Sequence, residues 1–89
     1  MKHELKIYKQ YADAIIEGKK TFEVRYNDRG YNAGDTVVFE VIDECLIPYL
    51  THPLRDKEYR IDYVHSGLGM EKNYVVFSIK PILEAEENG

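Results

Sequence analysis

Residues 18–25, GKKTFEVR, crowd three cations, Lys19, Lys20 and Arg25, around the carboxylate of Glu23. If residues 21–26 are extended, alternate side chains share a face, so Thr21, Glu23 and Arg25 point the same way about 7 Å apart in succession. Lys19 and Lys20 then stand at the start of the strand. A planar guanidinium fork and a lysine point charge with a carboxylate between them suit a ligand carrying both hydrogen-bond donors and acceptors, or a phosphate. Nucleobases and nucleotides have that chemistry. Charges at alternating strand positions also occur as ordinary surface ion pairs, and spacing alone does not separate the two readings.

Other residues offer less. His3 reaches a cleft beside this segment only if the first strand lies next to the second; otherwise it is an exposed polar residue. His65, Ser66 and Gly67 have no acidic partner at triad spacing and read as a turn. The SGLG run at 66–69 lacks the Lys-Ser/Thr pair of a phosphate loop. Tyr59 and Tyr63 share a face if their segment alternates, where they either stack bases or pack the core. Cys45 has no His or Lys at fixed local spacing to activate it. As the single cysteine it forms no internal disulfide, and no CxxC or Cys/His cluster suggests zinc. No cofactor or metal is expected.

These residues need elements to position them. Residues 3–7 alternate weakly, as in a short strand. Tyr8, Tyr11, Ala12, Ile15 and Ile16 follow at helical spacing, predicting an amphipathic helix of about three turns that Gly18 ends. Residues 21–26 switch to period two, with Phe22, Val24 and Tyr26 expected to face the core and Thr21, Glu23 and Arg25 the site. NDRGYNAGD, 27–35, is a turn-rich connection. TVVFEVI, 36–42, is β-branched and apolar enough to be buried on both sides or to lie at the centre of a barrel. Pro48 and Pro53 make 43–56 a loop with one helical turn at most. Residues 57–65 and 74–82 complete about five strands. The expected fold is α+β and mostly β: a small, largely antiparallel barrel with one early helix covering one side.

Composition is consistent with one small domain over residues 1–83: hydrophobic residues are 44% and charged residues 31% of the 89. The remaining EAEENG, 84–89, reads as an acidic disordered tail. Its three glutamates supply most of the formal net charge of −4, leaving −1 for residues 1–83. Within 19–29, Lys19, Lys20, Arg25 and Arg29 exceed Glu23 and Asp28 by two charges. A local basic patch therefore coexists with a pI of about 5.3, but broad salt-driven binding to long nucleic acid is not expected. No apolar stretch approaches a membrane span and MKHELKIYK lacks a signal-peptide core, so a cytoplasmic protein without a membrane partner is expected.

Taken together, HELKIY, the helix ending in GKKTFEVRYNDR, the Gly34-Asp35 pair and the closing NYVVFSI resemble the ASCH domains of the PUA-like superfamily. The match is nearest a small bacterial and phage subfamily in which HxLK, GxKxxExRxxDR and GD recur in this order. It covers roughly residues 3–42 and 57–80, and the GxKxxExR block is its specific part.

The resemblance implies a PUA-like β-barrel whose cleft beside the helix is lined by Lys20, Glu23 and Arg25. Lys19, Arg29 and His3 complete the candidate ligand-binding set, and the partner it implies is RNA, a nucleotide or a modified nucleoside. One enzymatic ASCH branch removes the acetyl group from acetylated cytidine with Thr, Lys and Glu. Here Glu23 stands where that branch carries its threonine, and Thr21 lies two residues earlier. Binding is therefore favoured over amidohydrolysis, in which Lys20 and Glu23 would transfer protons and Thr21 or a water would attack. A protein-binding adaptor is a third reading.

Overall fold

Alternation along the strands sets the architecture, because four of the five strands turn most of their apolar positions to the same concave face. The computed structural model describes residues 1–83; the expected tail lies outside the described residues. The elements are β1 (Lys2–Tyr8), α1 (Lys9–Ile16), β2 (Phe22–Tyr26), β3 (Thr36–Ile42), a 3-10 turn (Pro53–Asp56), β4 (Glu58–His65) and β5 (Tyr74–Pro81). They form one five-stranded sheet in the order β1-β3-β4-β5-β2, which curls into a half-barrel. β1 runs parallel to β3, and the other pairings are antiparallel. The core is drawn from Leu5 and Ile7, Val37, Phe39 and Val41, Tyr59 and Ile61, and Val75, Phe77 and Ile79, all on the inner face. Small α+β folding with an early helix is as the sequence predicts.

Four details differ from expectation. First, the barrel does not close by a backbone ladder, since β1 and β2 end the sheet on opposite sides. Second, β2 is inverted: Phe22, Val24 and Tyr26 are 44%, 52% and 54% exposed, whereas Glu23 is only 4% exposed. Charged groups enter an interior when partners await them, and β2 faces such partners. Third, α1 is two turns long, not three, because Tyr8 is still extended (ψ 146°) as the last residue of β1. It buries Ala12 and Ile15, leaving Tyr11 outside. Gly18 does end it, at φ 77°, with its N–H donating to the Ile15 carbonyl at 3.0 Å. Fourth, a register shift between Ile61 and Tyr63 breaks the alternation of β4. Tyr59 is thus buried while Tyr63 is two-thirds exposed on the opposite face.

The connections act as braces. Tyr31, in the 27–35 turn region, is buried with its ring centroid 4.8 Å from that of His3 and 4.9 Å from that of Phe77. In the 43–56 segment, Leu54 is fully buried. His52 Nδ1 accepts from Leu54 N–H, so Nε2 carries the proton and donates to Asp13 Oδ1 at 2.7 Å, fastening this segment to α1.

Candidate functional site

The two ends of the sheet, β1 and β2, face each other across a seam. In β ladders the backbone groups of successive residues turn to opposite sides. Thr36 N–H bonds to the Met1 carbonyl, so the carbonyls of Glu4 and Lys6 face away from β3, into the seam. There, where an extra strand pairing would have closed the barrel, arginines substitute: Arg25 Nη2 donates to the Lys6 carbonyl and Arg29 Nη1 to the Glu4 carbonyl, both at 2.8 Å.

Beyond Arg25 the seam opens into a cleft of about 510 Å³, lined by Lys6, Ile7 and Tyr8 of β1, Tyr11 of α1, Lys20, and Phe22 to Arg25 of β2. Three predicted residues meet in it. Glu23 accepts from Lys20 Nζ through Oε1 and from Arg25 Nε at 2.9 Å through Oε2. Its side chain is 5% exposed, against 16% for Lys20 and 23% for Arg25. Lys20 also donates to the Phe22 carbonyl. Its ammonium lies 5.8 Å from the Tyr11 ring centroid and 5.0 Å from that of Phe22, within cation–π range of both. Each oxygen of the carboxylate is thus held by a cation, Oε1 by Lys20 and Oε2 by Arg25. The donors left for a ligand are the third Lys20 N–H and the Nη1 pair of Arg25, neither bonded among the described residues. The cleft thus combines aromatic walls with a fixed rim of donors, which suits a flat ligand with acceptors at its edge.

The other predicted residues lie elsewhere. Thr21 precedes β2, is exposed and is not among the cleft-lining residues. Lys19 is exposed and paired with Glu17 at 2.8 Å, which raises its pKa. Arg29 bridges the seam away from the cleft. His3 is neither exposed nor in the cleft: it is buried on the inner face, its Nε2 2.8 Å from Asp35 Oδ2. That hydrogen bond holds the Asp35 carboxyl below its ordinary value, assisted by the Asn32 N–H and the N-terminal ammonium. Burial pushes the Tyr31 phenol up, an effect that Arg29 and Arg25 moderate. Among the described residues no group of three or more metal-ligating side chains occurs.

Sequence reasoning missed the β1 side of the cleft, Lys6, Ile7 and Tyr8, and assigned Tyr11 to the buried helix face. Both tyrosines also line a neighbouring hollow of about 640 Å³ with Lys9, Asp43, Glu44, Cys45 and Tyr49. The one available signal was the HELKIY run, which marked β1 as part of the pattern without saying which edge it would face.

A family model described as a domain of unknown function (DUF3850) matches residues 2–79. The chain belongs to the DUF3850 family. The matched region of this DUF3850 chain contains both seam strands, α1 and all of GKKTFEVR. A curated relative from Escherichia phage P2, described as an uncharacterized 12.9 kDa protein in the GpA 3′ region, is 47% identical over 36 residues. That alignment covers 40% of this chain and 33% of the phage protein, so the chain matches about a third of its relative's length. Among solved structures, the crystal structure of hypothetical protein PH0355 is similar with a TM-score of 0.61, covering 92% of this chain and 100% of that one. At 16% identity this likeness shows the fold alone.

Proposed function

We propose that this DUF3850 protein is an ASCH-type, PUA-like domain that binds a nucleoside or nucleotide, free or within single-stranded RNA. The observation that carries the reading is the meeting of Lys20, Glu23 and Arg25 in one aromatic-walled cleft. A base stacks on the Tyr11 or Phe22 ring, a contact worth about 1–3 kcal/mol. Lys20 and Arg25 donate to its acceptors or to a phosphate, while Glu23 holds both cations in place.

Recognition is better supported than amidohydrolysis. Glu23 would have to leave two cations to take a proton, and Thr21 is not among the residues lining the cleft. The test is NMR titration of the protein with the four ribonucleoside 5′-monophosphates and a mixed-sequence single-stranded RNA octamer. Shifts at residues 20–25 are expected, and Tyr11→Ala should weaken binding about ten-fold. No shift at millimolar ligand sinks the reading. Release of acetate from acetylated cytidine would replace binding by hydrolysis.

A further inference from the structure

Resting on that reading of the cleft, we infer that the backbone of Val24 reads the edge of the bound base, its N–H donating to an acceptor on that edge and its C=O accepting from the adjacent donor. The β2–β5 ladder fixes which way these backbone groups turn. Ile79 N–H donates to the Thr21 carbonyl and Asn27 N–H to the Asn73 carbonyl, so odd-numbered residues of this stretch turn their backbone groups toward β5. By alternation Phe22, Val24 and Tyr26 turn theirs into the seam. Two contacts agree: the Phe22 carbonyl is met by Lys20 Nζ and the Tyr26 carbonyl by Asp28 N–H. Val24 lies between them and lines the cleft, and among the described residues no side chain or turn bonds to its N–H or C=O.

An unpaired donor and acceptor of one residue, side by side on a strand edge, ordinarily invite another strand. Here the seam refuses one. Inserting a strand requires two successive spacings of about 4.8 Å along its length, and the Arg25 and Arg29 side chains already cross the seam to Lys6 and Glu4. Only the flared end beside Tyr8, Tyr11 and Phe22 is open, and that end admits a small flat ligand. Nucleobases fit the pair on offer, because each carries an acceptor next to a donor on its pairing edge, which an unstacked base leaves open to hydrogen bonding.

Proline at position 24 tests this directly. The Val24 N–H lies outside the ladder, so its loss breaks no sheet hydrogen bond, and proline is tolerated on edge strands in this orientation. With the best-binding of the four ribonucleoside 5′-monophosphates as probe, Val24→Pro should weaken binding by more than about ten-fold. Val24→Ala, which trims only the wall, should cost about three-fold or less. If Val24→Pro fails to fold, amide hydrogen exchange on the wild-type chain gives the same answer: saturating nucleotide should slow exchange at Val24 at least ten-fold. Equal affinities of the two variants, or unchanged Val24 exchange in a wild-type protein that does bind, overturns backbone reading and leaves the cleft assignment standing. Failure of the wild type to bind any of the four nucleotides or the RNA octamer overturns both.

Discussion

The half-barrel is sealed in two different ways. From β3 through β4 to β5 and on to β2, backbone ladders join the strands over an apolar interior of Val37, Phe39, Tyr59, Ile61 and Phe77. Between β1 and β2 the seal is made by side chains, two arginines reaching edge carbonyls and the buried Glu23 carboxylate held between the half-buried Lys20 and Arg25. A ladder fixes strand spacing near 4.8 Å and leaves nothing between the strands. A guanidinium spans a wider gap and satisfies only the carbonyls it touches. The second seal therefore leaves a slot with unused donors and acceptors, which is what a binding site requires and an apolar ladder cannot provide.

Three perturbations break or sharpen this contrast. Phe77→Ala, on the ladder side, removes a fully buried ring that packs on Tyr31 and should cost about 3–5 kcal/mol in urea unfolding. Arg25→Ala, on the seam side, leaves the Lys6 carbonyl and one Glu23 oxygen short of a donor. It should cost less, about 1–3 kcal/mol, while weakening nucleotide binding by more than Phe77→Ala does in whatever folded protein remains. A seam variant as destabilising as the ladder variant would erase the distinction.

The smallest effect concerns the His3–Asp35 pair, which ties β1 to the turn before β3. Asp35 has a carboxyl pKa held below 3.8 chiefly by His3. Its contribution to stability is therefore full above that ordinary value and lost as pH falls through the lower folded value. Asp35→Asn should remove this part of the acid-side decline, visible as a flatter stability profile below about pH 4 with little dependence on pH above about 5. An acid limb identical to that of the wild type would show that ionisation of Asp35 is not coupled to folding.

Much of this molecule is legible in its residues. The β3 run TVVFEVI, the stop at Gly18 and the two closing strands lie within a residue of their expected bounds, because β-branched runs and glycine turns act through local sterics. Lys20, Glu23 and Arg25 were legible as a group because they are neighbours in sequence. The face they occupy was not. Period two states that β2 has two different faces, and the apolar one, Phe22, Val24 and Tyr26, would ordinarily be inside. Likewise His3 looked peripheral until Asp35, 32 residues away, came to meet it.

The sequence by itself determined the elements, their order and the cluster of charges, all of which depend on near neighbours. Only the tertiary structure decided that Glu23 would be buried, that Thr21 would miss the cleft and that Lys6, Tyr8 and Tyr11 would line it. The reason is that the partners of GKKTFEVR are the open carbonyls of β1, and a backbone carbonyl carries no mark in the sequence of which side it will face. That side is fixed only when β1 pairs with β3 and the curl of the sheet brings the two free edges together.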